Sequence, residues 1–459
     1  MEHTQLFFDD SRVFGRAGTT RVYGTPVISA VYRDPDFSTD YCSPWVLRRD
    51  GAYIMLYMGV HRQTKQHALL AAVSEDGLHF SPLDCSALPL ENRLSVHEIM
   101  PLGPSQEPLT VLEDPLAPAD ERYRLILTDL DWNGRFGAFG SVLSSPDLIR
   151  WYETLHEIPG FASEPVGGAV FNREKGCTTI LHRRTWGNRD VGCQDTVDFC
   201  GFSDFELCMR QDSLDAPLDE IYGMPAFPYA GMYVGFPCIY ADNKPSRCTK
   251  FNPGNTYPQL AYSWDAHHWQ RSLRQSFLPE YKGQPSLFWL TSMQLLPDGR
   301  LGLYAAHSDE PHGVAFRSNT SGTILIYTLR RDGFIGLRTD GEAVVTTREF
   351  LYNGGPVHIN LNSAGATCAV LDSAGLNGDV NVFGDGRPVP GFDHVDCVPF
   401  SGDSTDWTPD FAGGSLDRFR GRTILIEVRY TEGTLWSISG DLTPLTNTEA
   451  ARYRTRGFV

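Results

Sequence analysis

Apolar positions along the chain come in short runs rather than in helical periods. The segments "AYIMLYMGV" (52–60), "RYRLILTDL" (122–130), "CTTILHRR" (177–184), "GMYVGFPCIY" (231–240), "GRLGLYAAH" (299–307) and "TILIYTLRR" (323–331) are rich in Tyr, Ile, Val, Leu and Thr, and Gly, Pro, Asp or Asn bounds them. β-Branched and aromatic side chains suit the pleated surface of a strand, and turn residues punctuate it. No segment sustains the 3.6-residue apolar period of a long amphipathic helix. The pattern predicts an all-β chain.

Between these runs a short polar motif returns. It reads "VSEDGLHF" at Val73–Phe80, "LSSPDLIRW" ending at Trp151, "CGFSDFEL" around Asp204, "YSWDAHHW" at Tyr262–Trp269 and "LRRDGFIGL" around Asp332. The aspartates Asp76, Asp147, Asp204, Asp265 and Asp332 stand 71, 57, 61 and 67 residues apart. Ser and Asp side chains bond back to nearby N–H groups and hold a tight turn, and a trailing apolar residue caps it. Sheet-sized repeats at such spacing predict a β-propeller, and five copies predict five blades, each with this motif at an outer hairpin. On that reading His267 and His268 are turn residues at the rim, not members of a site.

Beyond about residue 345 the motif stops. "PVHINLNSAGATCAVLDSAG", "RPVPGF", "DCVPFSGDSTDW" and "RGRTILIEVRYTEGTLWSISGD" predict six to eight short strands with dense turns, as in a β-sandwich. The expected organisation is a five-bladed β-propeller over 1–345 and an accessory β-sandwich over 346–459.

Charge narrows the range of partners. The net charge is −17 and no block of Lys or Arg occurs, which argues against nucleic acid and against anionic membranes. No apolar run approaches the ~20 residues that span a bilayer, and "MEHTQLFFDDSRVFG" lacks a basic segment followed by an apolar one, so a cytoplasmic chain is expected. The ten cysteines are scattered, with no C-x-x-C. They read as reduced thiols, and no His/Cys spacing fits a zinc site. No metal or cofactor is expected, and the sequence leaves a homo-oligomer open.

The layout of five blades and a sandwich, with "LFFDD" near the start and "GRPVPGF…DC…GD…W…GRTILIEVRY…LWSIS" near the end, resembles the five-bladed propeller glycosidases. Glycoside hydrolase family 32 is the nearest in layout, and families 43 and 68 are more distant. The resemblance implies cleavage or transfer of furanosyl units such as fructose or arabinose. It also implies three acids at the channel. Family 32 has an Asp in an Asn-Asp-Pro-Asn-Gly context before the first inner strand. Asp40 matches by position, five residues before Trp45, without the Asn, Pro and Gly. The family's Arg-Asp-Pro corresponds to Asp114-Pro115, with Glu113 in place of the arginine. Its Glu-Cys-Pro corresponds to Glu164-Pro165, without the cysteine.

Such acids suit the chemistry. One carboxylic acid protonates the leaving oxygen, and one carboxylate attacks or activates water. A third binds hydroxyls and steadies the cationic transition state. Glu220, in "LDEIYGMPAFPYAGMY" with Tyr222, is a rival acid on a stretch whose tyrosines and prolines suit a sugar-facing wall. Asp129 and Asp131 leave a strand and could also line the channel. In "LHRRTWGNRD", His182, Arg183, Arg184 and Arg189 gather cations in an acidic chain. They either pair with carboxylates of neighbouring blades or grip an anion or a sugar hydroxyl in the channel. Trp186 could stack on a sugar ring, and His307 or His312 could reach the mouth.

The leading expectation is a glycoside hydrolase or transglycosidase on a furanoside-containing carbohydrate. Asp40 or Asp114 would be nucleophile or base, and Glu164 or Glu220 the acid. Two rivals remain: a phosphorylase that holds phosphate with the arginines, and a glycan-binding propeller that cuts nothing.

Overall fold

The computed structural model describes residues 3–39, 43–131, 137–161, 167–183, 189–241, 254–281, 287–308, 322–372 and 386–455. The chain divides into two compact units, Thr25–Arg330 and Met1–Gly24 with Arg331–Val459. Both are built almost wholly of strands.

Thr25–Arg330 is a β-propeller. Among the described residues five sheets each give their first strand to one wall: Trp45–Arg49, Gln106–Glu113, Gly168–Asn172, Ala226–Tyr229 and Leu287–Leu295. Residues of all five line a single cavity of about 290 Å³. We number these sheets one to five. Sheets two, three and four are four-stranded antiparallel meanders, and sheet one adds short flanking strands. Sheet five takes its outermost strand, Val27–Tyr32, from the other end of the unit, with Ile324 opposite Tyr32. The ring is therefore closed by a strand that precedes sheet one in sequence.

The continuous apolar runs follow from this stacking. Along Ala52–His61, Tyr53, Met55 and Tyr57 pack with Trp289, Tyr304 and Ile326 of sheet five. Ile54, Leu56 and Met58 pack with Val111, Tyr123 and Leu125 of sheet two. Successive side chains of a strand point to opposite faces, so a blade covered on both sides needs apolar residues at every position. Asp50 and Gly51 turn sheet one's first hairpin with φ of 52° and 87°, the left-handed pair that a two-residue turn requires.

Buried polar groups pin the closure. Asp34 follows the closing strand and accepts from Phe37 N–H at 2.8 Å, from the Tyr57 hydroxyl at 2.5 Å and from the His97 ring at 2.8 Å. Burial opposes charge on Asp34, but the bonds from His97 and Tyr57 outweigh it and hold the carboxyl below its ordinary range.

The repeated motif does sit at outer hairpins in sheets one, two and four. Ser74 with Asp76, Ser145 with Asp147, and Ser263 with Asp265 each bond across the turn. Asp265 accepts from the His267 and His268 N–H groups at 2.9 and 2.8 Å. Burial works against its charge, yet these bonds, the His268 ring and Ser263 hold it far below the carboxylate range. In sheet three the turn is made by Thr196 and Asp198, which accept from Phe199, Cys200 and Gly201 N–H, and not by Asp204. Asp332 makes no such hairpin. It lies in the other unit and accepts from Ser437 Oγ at 2.6 Å.

The second unit differs from expectation in two ways. Its N-terminal strands His3–Leu6, Val13–Ala17 and Thr20–Tyr23 pair with strands Thr423–Pro444 and Ile335–Thr347. Residues 1–24 thus group with the C-terminal part, and the boundary expected at 345/346 falls at 330/331. The unit is also organised around two long strands, Phe350–Asp372 and Thr423–Pro444, rather than six to eight short ones. Phe350 pairs with both Ile424 and Pro444, so the second long strand doubles back and folds the sheet over a core of Phe7, Tyr352, Ile359, Phe392 and Ile438. Among the described residues the cysteines are free, and no helix is long and apolar enough to cross a membrane.

Candidate active site

Strand direction assigns the expected residues that are described to one end of the channel or the other. We call the end where the five inner strands begin the leading mouth. Glu220 and Tyr222 lie on Asp219–Gly223, which runs into sheet four's inner strand at Ala226. This strand pairs with Cys238–Ala241, part of an excursion between sheet four's second and third strands. Arg183 and Arg189 flank the turn from Cys177–His182 to Val191–Thr196, and His182 pairs with Gly192 at the same end of sheet three. Trp289 is near the start of sheet five's inner strand.

Side-chain contacts join these elements. Tyr222 stacks on Tyr240 and on Trp289, with centroids 6.0 and 5.8 Å apart. The Arg183 and Arg189 guanidiniums lie 4.9 and 5.3 Å from the Tyr222 ring centre, and Arg189 is 4.5 Å from that of Tyr240. Arg189 Nη1 donates to Glu220 Oε2 at 2.5 Å. The Arg189 and Glu220 side chains keep 27% and 23% of their surface exposed, while Arg183, Tyr222, Tyr240 and Trp289 are buried. The aromatic floor is thus a support for two guanidiniums rather than a free ring for a sugar. Cation–π contact in a desolvated place contributes up to about 2 kcal/mol, which fixes the arginines before any ligand arrives. Next to them, burial pushes the Asp190 carboxyl above its ordinary range, while the Arg183 charge pulls it down.

Sheet two adds acids at the same mouth. Asp129 accepts from Ser105 Oγ at 2.8 Å and from Gln106 Nε2 at 3.4 Å. Glu107 lies on the inner strand itself and is almost wholly buried. The sequence reading passed over Glu107. An acid directly before the mostly apolar run 108–112 of an inner strand was the signal that could have found it.

Other expected residues fall elsewhere. Asp114 follows the far end of the eight-residue strand Gln106–Glu113, about 25 Å from the leading mouth at ~3.3 Å per residue. It is 3% exposed, accepts from Leu116 N–H at 3.0 Å and from Arg124 Nε at 3.3 Å, and closes a turn. It does not join the cluster. His182 is buried between Phe161, stacked at 4.6 Å, and Phe205, edge-on at 5.4 Å. Its ring nitrogens meet the Arg183 carbonyl and Gln194 Oε1, both at 2.9 Å. Burial pushes its pKa down to about 4 against the pull of these two bonds, and its enclosure makes it a core residue and not a substrate-binding one. His307 is buried edge-on to Tyr281. Asp40, Glu164, Arg184, Trp186 and His312 lie outside the described residues.

No protein-family profile matches the chain, and no curated protein matches its sequence. Solved structures similar to it include one from Parabacteroides distasonis described as a glycoside hydrolase, at 14% identity, covering 72% of this chain and 97% of that one, with a TM-score of 0.43. An N-acetylgalactosamine deacetylase from F. plautii matches at 13% identity over 68% and 95%, with a TM-score of 0.44. A family 43 arabinoxylan arabinofuranohydrolase from Bacillus subtilis matches at 10% identity over 90% and 97%, with a TM-score of 0.41. Likeness at this level leaves the reaction to be argued from the site.

Proposed function

We propose that the chain is a carbohydrate-active enzyme that cleaves a glycosidic bond at the leading mouth, with hydrolysis or transfer of a furanosyl unit as the leading reading. The observation that carries this is the partly exposed Glu220–Arg189 pair held on the Tyr222–Tyr240–Trp289 floor. Carboxylates and a fixed guanidinium at a channel mouth supply what glycoside cleavage needs: acceptors for hydroxyls and charge to meet an oxocarbenium-like transition state. Glu220 is ion-paired, so its part is that of a carboxylate that binds hydroxyls or activates water. Asp40 and Glu164, which precede the inner strands of sheets one and three in sequence, take the nucleophile and acid roles.

The second reading is phosphorolysis. Two guanidiniums converge on one ring at the mouth, and a phosphate nucleophile is held by paired arginines. The experiment is a panel of furanosides and pyranosides incubated with and without inorganic phosphate, with Asp40→Asn and Glu164→Gln as controls. Free sugar independent of phosphate supports hydrolysis, and sugar 1-phosphate formed only with phosphate supports phosphorolysis. Cleavage that survives in both variants would remove those two acids from their roles.

A further inference from the structure

Away from the leading mouth, three elements bring unlike donor atoms together between sheets three and four. Cys193 is on Val191–Thr196, Glu206 on Glu206–Met209, and His267 in the turn after Ala261–Ser263. Cys193 Sγ, Glu206 Oε2 and a His267 ring nitrogen all lie within 4.8 Å of one another. His267 Nδ1 is 3.5 Å from Cys193 Sγ and 3.1 Å from Glu206 Oε2. Bond lengths of about 2.3 Å to sulfur and about 2.0–2.2 Å to nitrogen and oxygen around a tetrahedral zinc ion separate its ligands by roughly 3.4–3.6 Å. The observed separations are near that.

The surroundings of the imidazole match a ligating histidine. Its other nitrogen, Nε2, is 3.0 Å from Asp195 Oδ1, and Thr179 Oγ1 donates to that same oxygen at 2.6 Å. A carboxylate on the far nitrogen is the usual partner of a metal-bound histidine, since it fixes the tautomer and aims the free lone pair at the metal. With one N–H on Nε2 towards Asp195, the ring turns its Nδ1 lone pair towards Cys193 and Glu206, the place a cation would fill. Lys175 Nζ, 2.9 Å from Nε2 and 3.2 Å from Asp195 Oδ2, offers the competing arrangement: if it donates to Nε2, then Nδ1–H serves Glu206 and no ion is needed. The Cys208 thiol adjoins Cys193 within hydrogen-bonding reach but is not within ligand distance of all three donor atoms.

We propose that Cys193 Sγ, His267 Nδ1 and Glu206 Oε2 bind one zinc-class divalent cation, with water in the fourth position, and that this ion staples sheet three to the outer hairpin of sheet four. Thiolate, imidazole and carboxylate together select such an ion over calcium or magnesium, which take oxygen ligands. Binding displaces the Cys193 proton to solvent, so uptake of the metal releases acid. No sequence pattern showed the site, because its ligands come from two neighbouring strands and a turn about sixty residues further on.

The test is a metal count on the whole chain purified under reducing conditions without chelator, followed by cobalt(II) titration of the chelator-stripped protein. The expected result is about one zinc-class ion per chain and a thiolate-to-cobalt charge-transfer band. Cys193→Ser abolishes the band, and His267→Gln weakens cobalt binding about tenfold or more. Glu206 is exposed, so Glu206→Gln weakens binding without threatening the fold, and circular dichroism verifies folding throughout. A folded wild-type chain that takes up no cobalt, a band that persists in Cys193→Ser, or a Cys193–Cys208 disulfide in freshly purified protein would overturn the proposal.

Discussion

Asp114 is the acid for which resemblance and geometry disagree, so its replacement separates the two. In Asp114→Asn the amide oxygen keeps the Leu116 N–H bond, but an NH2 group then faces the Arg124 guanidinium. Removing one partner of a buried ion pair costs up to about 3–5 kcal/mol. Here Arg124 keeps Glu121 at 2.6 Å and also donates to Ser144, so the loss is about 1–3 kcal/mol. At roughly 2–4 °C per kcal/mol for a large domain, the melting temperature falls by about 2–12 °C. The assay pairs a thermal melt with kcat/KM on the best glycoside of the panel. The expected outcome is a lower melting temperature with kcat/KM within about twofold of wild type, since Asp114 closes a turn far from the leading mouth. A hundredfold loss of kcat with an unchanged melt would refute this and return Asp114 to the reaction.

Three further outcomes follow from the same geometry. Glu220→Gln and Arg189→Met each lower kcat/KM by about a hundredfold or more, read by steady-state kinetics, because the first removes the carboxylate and the second the guanidinium that holds it in place. His182 is held at about 4 against an ordinary 6.5. Its neutral burial therefore stabilises the fold fully above pH 6.5, and that stability is lost as pH falls towards 4. Urea unfolding across this window should show a fall of about 3 kcal/mol that His182→Phe flattens. Asp34 is held below its ordinary range, so its contribution is present at neutral pH and lost in acid. Asp34→Asn should be markedly less stable than wild type near neutrality, and the gap should close as wild type loses the charge.

Much of the propeller was legible because blade packing writes itself into the chain. The run at 52–60 is apolar at every position because both of its faces are covered. The hairpin motif was legible because Asp76, Asp147 and Asp265 cap turns through their own local backbone. The same motif misled where chemistry was matched by letters alone. Asp204 has the serine beside it, but Thr196 and Asp198 make the turn, since a threonine hydroxyl serves as well as a serine. Asp332 follows a strand yet belongs to the second unit, where it accepts from Ser437. The closing strand and the strands of residues 1–24 were illegible because their partners lie some 300 or more residues away. At the candidate site, Arg183, Arg189 and Glu220 were visible as unusual charges. Their arrangement was not, because it depends on the excursion that carries Tyr240 and on the start of sheet five.

The most direct test of the central claim is a time course by proton NMR of a saccharide that the chain retains, with wild type and Glu220→Gln side by side. The account predicts that wild type converts the saccharide to a new reducing sugar or sugar phosphate while Glu220→Gln does so about a hundredfold or more slowly. A saccharide that stays bound and uncut in wild type after prolonged incubation, with and without phosphate, would contradict it and make the propeller a binding module.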